Sequence, residues 1–455
     1  MQIVKREDFT RLLTLERMSS SELTKVVGTL SEKKILDTSW DFKNEHTKYA
    51  THGFHTYPAM MIPQIAKRLI RIYGGNSKVL LDPFMGSGTA LVEATLHENF
   101  KKCYGIDINP LALLIAKVKT TPIATQILSD SLAQIISKTR DSKKALHNKT
   151  LKIMGPNFYN IDFWFKPQAI DDLNLIKYEI ERITTSNPLL EKDIKDFFKV
   201  AFSETVRKVS NTRSREYKLY RINSEELKQH SPDAISEFLK IATKNIIGMS
   251  TYSQARYNCN VDILAQDTRN RTSIPDNSVD IIVTSPPYGD SRTTVAYGQF
   301  SRLALQWLGY ENEKVISIDK VSLGGEPTKT MEHKLNSQTL NDVLNMIKIQ
   351  DETRAKDVLS FYVDFNKCIA ELNRVMKANG HLCFVVGNRT VKGVKIPTDK
   401  IITELFQAYG DYDHIKTYIR NIPHKRMPRI NSPTNIKGNH AVTMNEEYVV
   451  ILQKK

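Results

Sequence analysis

Five residues at the end of an apolar run, Thr284-Ser285-Pro286-Pro287-Tyr288, have types that suit the handling of a flat, amino-bearing ring. Two prolines fix φ and remove two backbone donors, which leaves the Ser285 and Pro286 carbonyls as rigid, outward acceptors. An exocyclic amine has two N–H groups and a lone pair conjugated into its ring. Accepting both hydrogens, at Ser285 Oγ and the Pro286 carbonyl, favours a pyramidal nitrogen whose lone pair can attack a methyl group. Tyr288 adds a flat face on which an extruded base can stack. The competing reading is a structural Pro-Pro turn with a packed tyrosine.

Far upstream lies a second loop, Asp82-Pro83-Phe84-Met85-Gly86-Ser87-Gly88-Thr89. Gly86 and Gly88 allow a tight turn and close approach of a cofactor to the backbone. The loop lacks the Gly-Lys-Ser/Thr ending of a phosphate-binding loop, which argues against an ATPase. Asp107 follows roughly twenty residues later, where an acid can accept both ribose hydroxyls of an adenosine cofactor. It also fits a cap for the helix that starts at Asn109-Pro110. Asp267, after a third apolar run, is placed either to take an adenine amino group or to cap a loop.

Both loops follow runs that read as parallel strands, Lys78-Val79-Leu80-Leu81 and Val279-Asp280-Ile281-Ile282-Val283. That puts both at the carboxyl edge of one sheet, where open α/β folds bind their ligands. Apolar spacing predicts a helix from Tyr57 to Tyr73, another over Ala90 to Leu96, a strand over Cys103 to Ile108 and a helix from Pro110. A helix is also predicted over Ser21 to Leu30. From about 120 to 260 the pattern is mostly helical and reads as an inserted lobe. Strands resume at Val261 to Ala265 and Val279 to Thr284, with a long helix over Ala355 to Met376. Strand Gly380 to Val386, helix Thr398 to Tyr409 and two last strands, His414 to Ile419 and Glu447 to Gln453, complete the pattern. The expectation is α/β: a Rossmann-like, seven-stranded, mostly parallel sheet with an inserted, mainly helical lobe. Its parts are 1–120 as the cofactor half, 121–260 as the lobe and 261–455 as the catalytic half.

Composition narrows the class. With 455 residues, 40% hydrophobic and 25% charged, the chain is ordinary for a globular protein of two or three lobes. It shows neither a membrane-length apolar run nor a signal-peptide core, and reads as cytoplasmic. Four scattered cysteines, with no CxxC pair, suggest neither a disulfide framework nor a structural metal. None follows a proline, which argues against the thiolate nucleophile that methylation at a ring carbon requires. The net charge of +15 favours a polyanionic partner. From His414 to Asn445 there is no carboxylate, while Lys416, Arg420, Lys425, Arg426, Arg429 and Lys437 fall inside, which suggests a phosphate-contacting surface.

The glycine loop, the Gly105-Ile106-Asp107-Ile108-Asn109-Pro110 strand end and the Ser-Pro-Pro-Tyr loop together resemble DNA amino-methyltransferases that use S-adenosylmethionine. The Thr-Ser-Pro-Pro-Tyr form is most similar to the cytosine-N4 branch, since adenine-N6 enzymes more often carry Asp or Asn where Ser285 stands. Cofactor loop before catalytic loop fits groups whose target recognition lies between the two halves or after both. Carried over by position, the resemblance implies that Asp82, Phe84, Gly86, Gly88 and Thr89 line the methionine part of the cofactor. Tyr57 and Pro58 would flank that end, Asp107 would hold the ribose, and Ile108 and Asp267 the adenine. Pro83, Ser87, Asn109 and Thr284 complete the implied cofactor set, and Ser285, Pro286, Pro287 and Tyr288 would receive the base.

Double-stranded DNA is the implied partner, with a cognate restriction endonuclease by family habit. Candidate DNA contacts are Arg213 and Arg215 in the lobe, Arg292 just past Tyr288, and Lys425, Arg426 and Arg429 in the basic loop. The expected reaction is direct methyl transfer from S-adenosylmethionine to the N4 amine of a flipped-out cytosine. Alternatives are adenine-N6 methylation, an RNA guanine methyltransferase, or a binding protein with a retired methyltransferase core.

Overall fold

The computed structural model describes residues 33–148, 150–213, 216–290, 293–423, 430–431, 441–442 and 444–455. In chain order the main strands are β1 Lys34–Leu36, β2 Val79–Asp82, β3 Lys102–Ile106, β4 Asn260–Leu264, β5 Val279–Thr284, β6 Met376–Val386, β7 Tyr412–Asn421 and β8 Glu446–Lys454. They form one sheet in the order β1-β7-β8-β6-β5-β2-β3-β4. All neighbouring pairs are parallel except the two that β8 makes with β6 and β7. The seven expected strands are all present. The eighth, β1, has three residues and pairs in parallel with β7; so short an element carries no readable periodicity.

Burial on both faces explains the near-continuous apolar strand sequences. Leu80, Ile281 and Val283 pack with Ile65, Leu69, Leu91 and Ala94 of the helices Pro63–Tyr73 and Thr89–Thr95 on one face. Leu81, Ile282, Leu382 and Phe384 pack with Val358, Phe365 and Leu372 of the helix Glu352–Val375 on the other. Local chemistry sets the helix starts. Pro63 and Pro110 begin their helices, and the Asn109 side chain accepts from Leu111 N–H at 3.0 Å.

One helix is shorter than expected. The predicted helix from Tyr57 begins only at Pro63, because Ala59 has φ +50° and Pro63 holds Ile62 extended at ψ 139°. This correction matters, since the freed segment lines the cavity described below. The helix predicted over Ser21 to Leu30 lies outside the described residues.

Between β3 and β4 the chain forms the helices Pro110–Thr120, Thr125–His147, Pro167–Glu181, Pro188–Val209 and Ala234–Ala255, with two short ones besides. Their core holds Phe197, Phe198, Phe202 and Phe238. It continues into Phe300, Leu303 and Trp307 of the helix Tyr297–Leu308 and into Phe54 and Tyr57. The helical layer is therefore packed onto the segments that carry both loops. Among the described residues, no helix is long and apolar enough to cross a membrane.

Candidate active site

β2 and β5 are parallel neighbours, with Leu80 opposite Ile281 and Leu81 opposite Ile282. The chain leaves β2 towards β3 and β4, and leaves β5 towards β6, so the connections diverge between them. Such a switch point opens a crevice at the carboxyl ends of the strands. Thr284 Oγ donates to Asp82 Oδ1 at 2.7 Å and ties the two loops together at its floor. Above it lies a cavity with an empty volume of about 1010 Å³, part of it open to solvent.

The glycine loop is held by its own neighbourhood. Gly86 and Gly88 take φ +47° and +75°, conformations that side chains other than glycine rarely adopt. A Cβ on Gly88 would stand 2.9 Å from the Ala116 Cβ, so this glycine also lets the Pro110–Thr120 helix come close. Asp107 Oδ2 accepts from Gly86 N–H at 3.0 Å and Oδ1 from Asn109 N–H at 2.8 Å, leaving each oxygen a lone pair for a second donor. Burial pushes the Asp107 carboxyl up to about 6 despite these bonds. Asp82 Oδ1 also accepts from Phe84 N–H at 3.2 Å, and burial raises its carboxyl to about 7.

Sequence reasoning missed the support beneath this loop. The buried Lys119 donates from Nζ to the Ser87 carbonyl at 2.7 Å, and burial lowers its ammonium to about 7. Beside it Glu93 accepts from Tyr49 Oη at 2.6 Å and lies 2.7 Å from His52 Nε2. No sequence signal marks a lysine at the end of an apolar helix as buried.

The Ser-Pro-Pro-Tyr loop is held from afar. Ser285 Oγ donates to the Val385 carbonyl at 3.0 Å, so its lone pairs remain free as acceptors. Tyr288 Oη is 3.3 Å from Ser285 Oγ and donates to Glu447 Oε1 at 3.2 Å. Glu447 is paired in turn with Arg420, whose Nε donates to the Trp40 carbonyl at 2.8 Å. Gly387 makes room for the ring: a Cβ there would come within 2.8 Å of Tyr288 Cδ2. Pro286 is buried, whereas Ser285, Pro287 and Tyr288 are half-buried. Arg389 closes the loop's far end by an ion pair at 3.0 Å with the fully buried Asp290.

The cavity wall gathers twelve of the fourteen expected cofactor residues: Tyr57, Pro58, Asp82, Pro83, Phe84, Gly86, Ser87, Thr89, Asp107, Ile108, Asn109 and Asp267. Gly88 and Thr284 lie behind it as supports, and Ser285 and Pro287 also reach it. Pro286 and Tyr288 do not line it. Asp267 is less open than its place implies, because the Arg269 guanidinium bonds both its oxygens at 2.6 to 3.0 Å. Tyr297, Arg269 and Leu323 line the wall without having been foreseen, the first stacked on Tyr57 at 5.9 Å. Of the DNA candidates, Arg213 is exposed on the helical lobe. Arg215, Arg292, Lys425, Arg426 and Arg429 lie outside the described residues. Arg420 is a correction to the basic surface: it is 3% exposed on β7 and bound to Glu447, so it contacts no phosphate there.

Fold and site together define a Rossmann-like methyltransferase core. The family model described as DNA methylase (N6_N4_Mtase) matches residues 4–118. The Type II methyltransferase M.MvaI of Kocuria varians is 46% identical over 445 residues, covering 92% of this chain and 95% of that protein. The Type II methyltransferase M.MjaII of Methanocaldococcus jannaschii is 35% identical over 121 residues, which are 25% of this chain and 22% of its own. Among solved structures, TrmN from Thermus thermophilus aligns at 11% identity and a TM-score of 0.27, over 87% of this chain and 49% of that one. An alignment so loose adds nothing to the sheet order. The chain belongs to the N4/N6 amino-methylating DNA methyltransferases.

The methyl donor of this family is S-adenosylmethionine, and the residues present fit it. The Ser87 hydroxyl on the cavity wall is buried with no hydrogen-bond partner among the described residues. Asp107 keeps two acceptor positions spaced for vicinal hydroxyls, and the raised Asp82 carboxyl would be eased by a nearby cation. None of the four cysteines, all buried, lines the cavity.

Proposed function

We propose that this chain methylates the exocyclic N4 amine of a cytosine flipped out of duplex DNA, as the modification enzyme of a restriction-modification system. One observation carries the choice of reaction: Ser285 spends its proton on the Val385 carbonyl and turns acceptor lone pairs to the crevice. With the Pro286 carbonyl as second acceptor, the amine is held by both hydrogens and its nitrogen is freed to attack. S-adenosylmethionine, when bound, supplies a methyl group already activated on sulfonium. The protein then chiefly positions the two reactants. Asp107 holds the ribose, Asp82, Ser87 and Thr89 surround the methionine end, and Ile108 and Asp267 meet the adenine. Tyr288, hinged on Glu447, offers its ring to the base. Attack forms the N–C bond as the S–C bond breaks, and the amine proton leaves to solvent, since serine is no base at neutral pH.

Serine at position 285, in place of the acid or amide more usual for adenine enzymes, favours cytosine. Arg213, Arg215, Arg292, Lys425, Arg426 and Arg429 are the proposed DNA contacts, and residues 121–260 the proposed target-reading lobe. Action on DNA supports a cytoplasmic location. The Type II relatives support pairing with an endonuclease of the same specificity. Digesting DNA from cells that express the chain to nucleosides, and weighing them, should give N4-methylcytosine. N6-methyladenine alone would move the reading to adenine, and no methylated amine would remove it. The same DNA should resist an endonuclease that cuts at the modified site.

A further inference from the structure

Just past β4 the chain turns on Asp267. Asn270 N–H donates to the Asp267 carbonyl at 2.9 Å, and Asp267 Oδ1 accepts from Arg269 N–H at 3.0 Å, the local bonding that suits aspartate to turns. Thr268 between them is buried and donates from Oγ1 to the Pro83 carbonyl at 2.9 Å, which moors the turn to the glycine loop. The Arg269 side chain then reaches back. Its Nε lies 3.0 Å from both Asp267 oxygens, and Nη2 donates to Oδ2 at 2.6 Å. A carboxylate offers about four acceptor positions. The backbone N–H, Nε and Nη2 fill three of them and leave one.

The same guanidinium holds two further elements. Nη1 donates to Asp364 Oδ2 at 2.9 Å, on the helix Glu352–Val375, and Nη2 to the Val321 carbonyl at 2.6 Å, where the helix Asn312–Val321 ends. Asp364 Oδ2 also accepts from Gly324 N–H at 3.2 Å. Gly324 has φ +63°, and a Cβ there would stand 3.0 Å from the Phe361 Cα, so the turn after Val321 needs glycine. Val321, Ser322 and Leu323 line the cavity, as do Asp267 and Arg269. One side chain therefore fixes two parts of the wall. Four of the five guanidinium N–H groups are occupied within the protein, so Arg269 acts on a ligand chiefly through what it holds.

We infer that Arg269 is a positioning residue for the cofactor's adenine: it makes Asp267 a fixed, single acceptor for the 6-amino group and pins the Val321–Leu323 wall. This rests on the reading of Asp267 as the adenine contact. Without the fork, the Asp267 carboxylate is free to rotate, and that freedom must be lost whenever the ligand binds. Arginine suits the place because its planar edge bonds one carboxylate in two places while Nη1 stays available for a second. Lysine, a single rotating ammonium, cannot do both.

The test uses calorimetry with two ligands: S-adenosylhomocysteine, and its analogue with purine in place of adenine, which lacks the 6-amino group. Wild type should bind the adenine ligand roughly tenfold more tightly, the worth of one hydrogen bond to a charged acceptor. Arg269→Ala should cut that preference to about twofold or less. Any loss common to both ligands reports the loosened wall, whereas the ratio reports Asp267 alone. Asp267→Ala should abolish the preference by itself, and adding Arg269→Ala to it should leave the ratio unchanged. Arg269→Lys keeps the charge without the fork and should lose the preference too; it carries the test if the alanine variant does not fold, which melting curves will show. A wild type that discriminates, beside folded Arg269 variants that discriminate equally well, overturns the role of Arg269 and leaves that of Asp267 standing. A wild type that binds both ligands alike, or neither, overturns the adenine contact and this inference with it.

Discussion

The glycine loop after β2 and the Ser-Pro-Pro-Tyr loop after β5 share one hydrogen bond, Thr284 to Asp82, yet opposite means hold them. Most of the first loop's constraints lie within about thirty residues: left-handed glycines, the Asp107 carboxyl and Lys119 beneath the Ser87 carbonyl. The second loop's constraints come from strands reached only much later in the chain: Val385 on β6, then Glu447 on β8 and Arg420 on β7. The cofactor side is thus built locally and the base side by tertiary assembly. Binding the donor and aligning the acceptor should therefore fail separately.

Gly88→Val is the harshest test of the local half. Valine must adopt φ +75° with its Cβ 2.9 Å from Ala116, at a cost of about 3 kcal/mol. Calorimetry should find no S-adenosylmethionine binding, and the melting temperature should fall. Native binding would show that the turn is not what positions the cofactor. On the other side, Ser285→Ala removes an acceptor at the edge of the cavity and leaves the fourteen expected cofactor residues unchanged. We expect kcat to fall roughly a hundredfold with cofactor affinity within error of wild type.

Glu447→Gln asks whether a residue on a distant strand acts through Tyr288. The Arg420 guanidinium loses its counter-charge, stability drops by about 2 kcal/mol, and kcat falls roughly tenfold while cofactor affinity holds. A loss of cofactor affinity instead would erase the contrast between the halves.

Titration gives the smallest effects. Asp107 must be ionised to accept two hydroxyls, so cofactor affinity should weaken as pH falls through about 6, and Asp107→Asn should remove that dependence along with much of the affinity. Asp82, raised to about 7 from 3.8, binds a proton more tightly folded than unfolded. Its stabilising effect is therefore full below pH 4 and lost as pH rises through 7. Asp82→Asn keeps an oxygen for both Thr284 and Phe84, so it should raise the melting temperature of the cofactor-free protein at pH 8 and change little at pH 4.

Most of the sheet was legible because buried parallel strands write long apolar runs, and the loops because glycine and proline mark unusual backbone. Helix starts at Pro110 and Thr398 were legible for the same reason. The start at Pro63 was not, since Tyr57 to Ile62 carries the apolar spacing of a helix while Ala59 and Pro63 break it. Arg420 read as a surface cation in a carboxylate-free stretch, and only its strand pairing with β8 brings Glu447 beside it. The burial of Lys119 left no trace, since it depends on which distant segments pack against the end of its helix.

What the amino-acid order alone determined is the chemistry of each loop: which backbone can turn left-handed, which carbonyls lack competing donors, which carboxylates end strands. These are properties of neighbours along the chain, and steric rules act there without help from the fold. The tertiary structure decided which loop touches which, that Ser285 spends its proton on Val385, and that Tyr288 is hinged on a glutamate from the last strand. Those outcomes depend on contacts between residues far apart in sequence, whose meeting is set by packing the whole sheet rather than by any local preference.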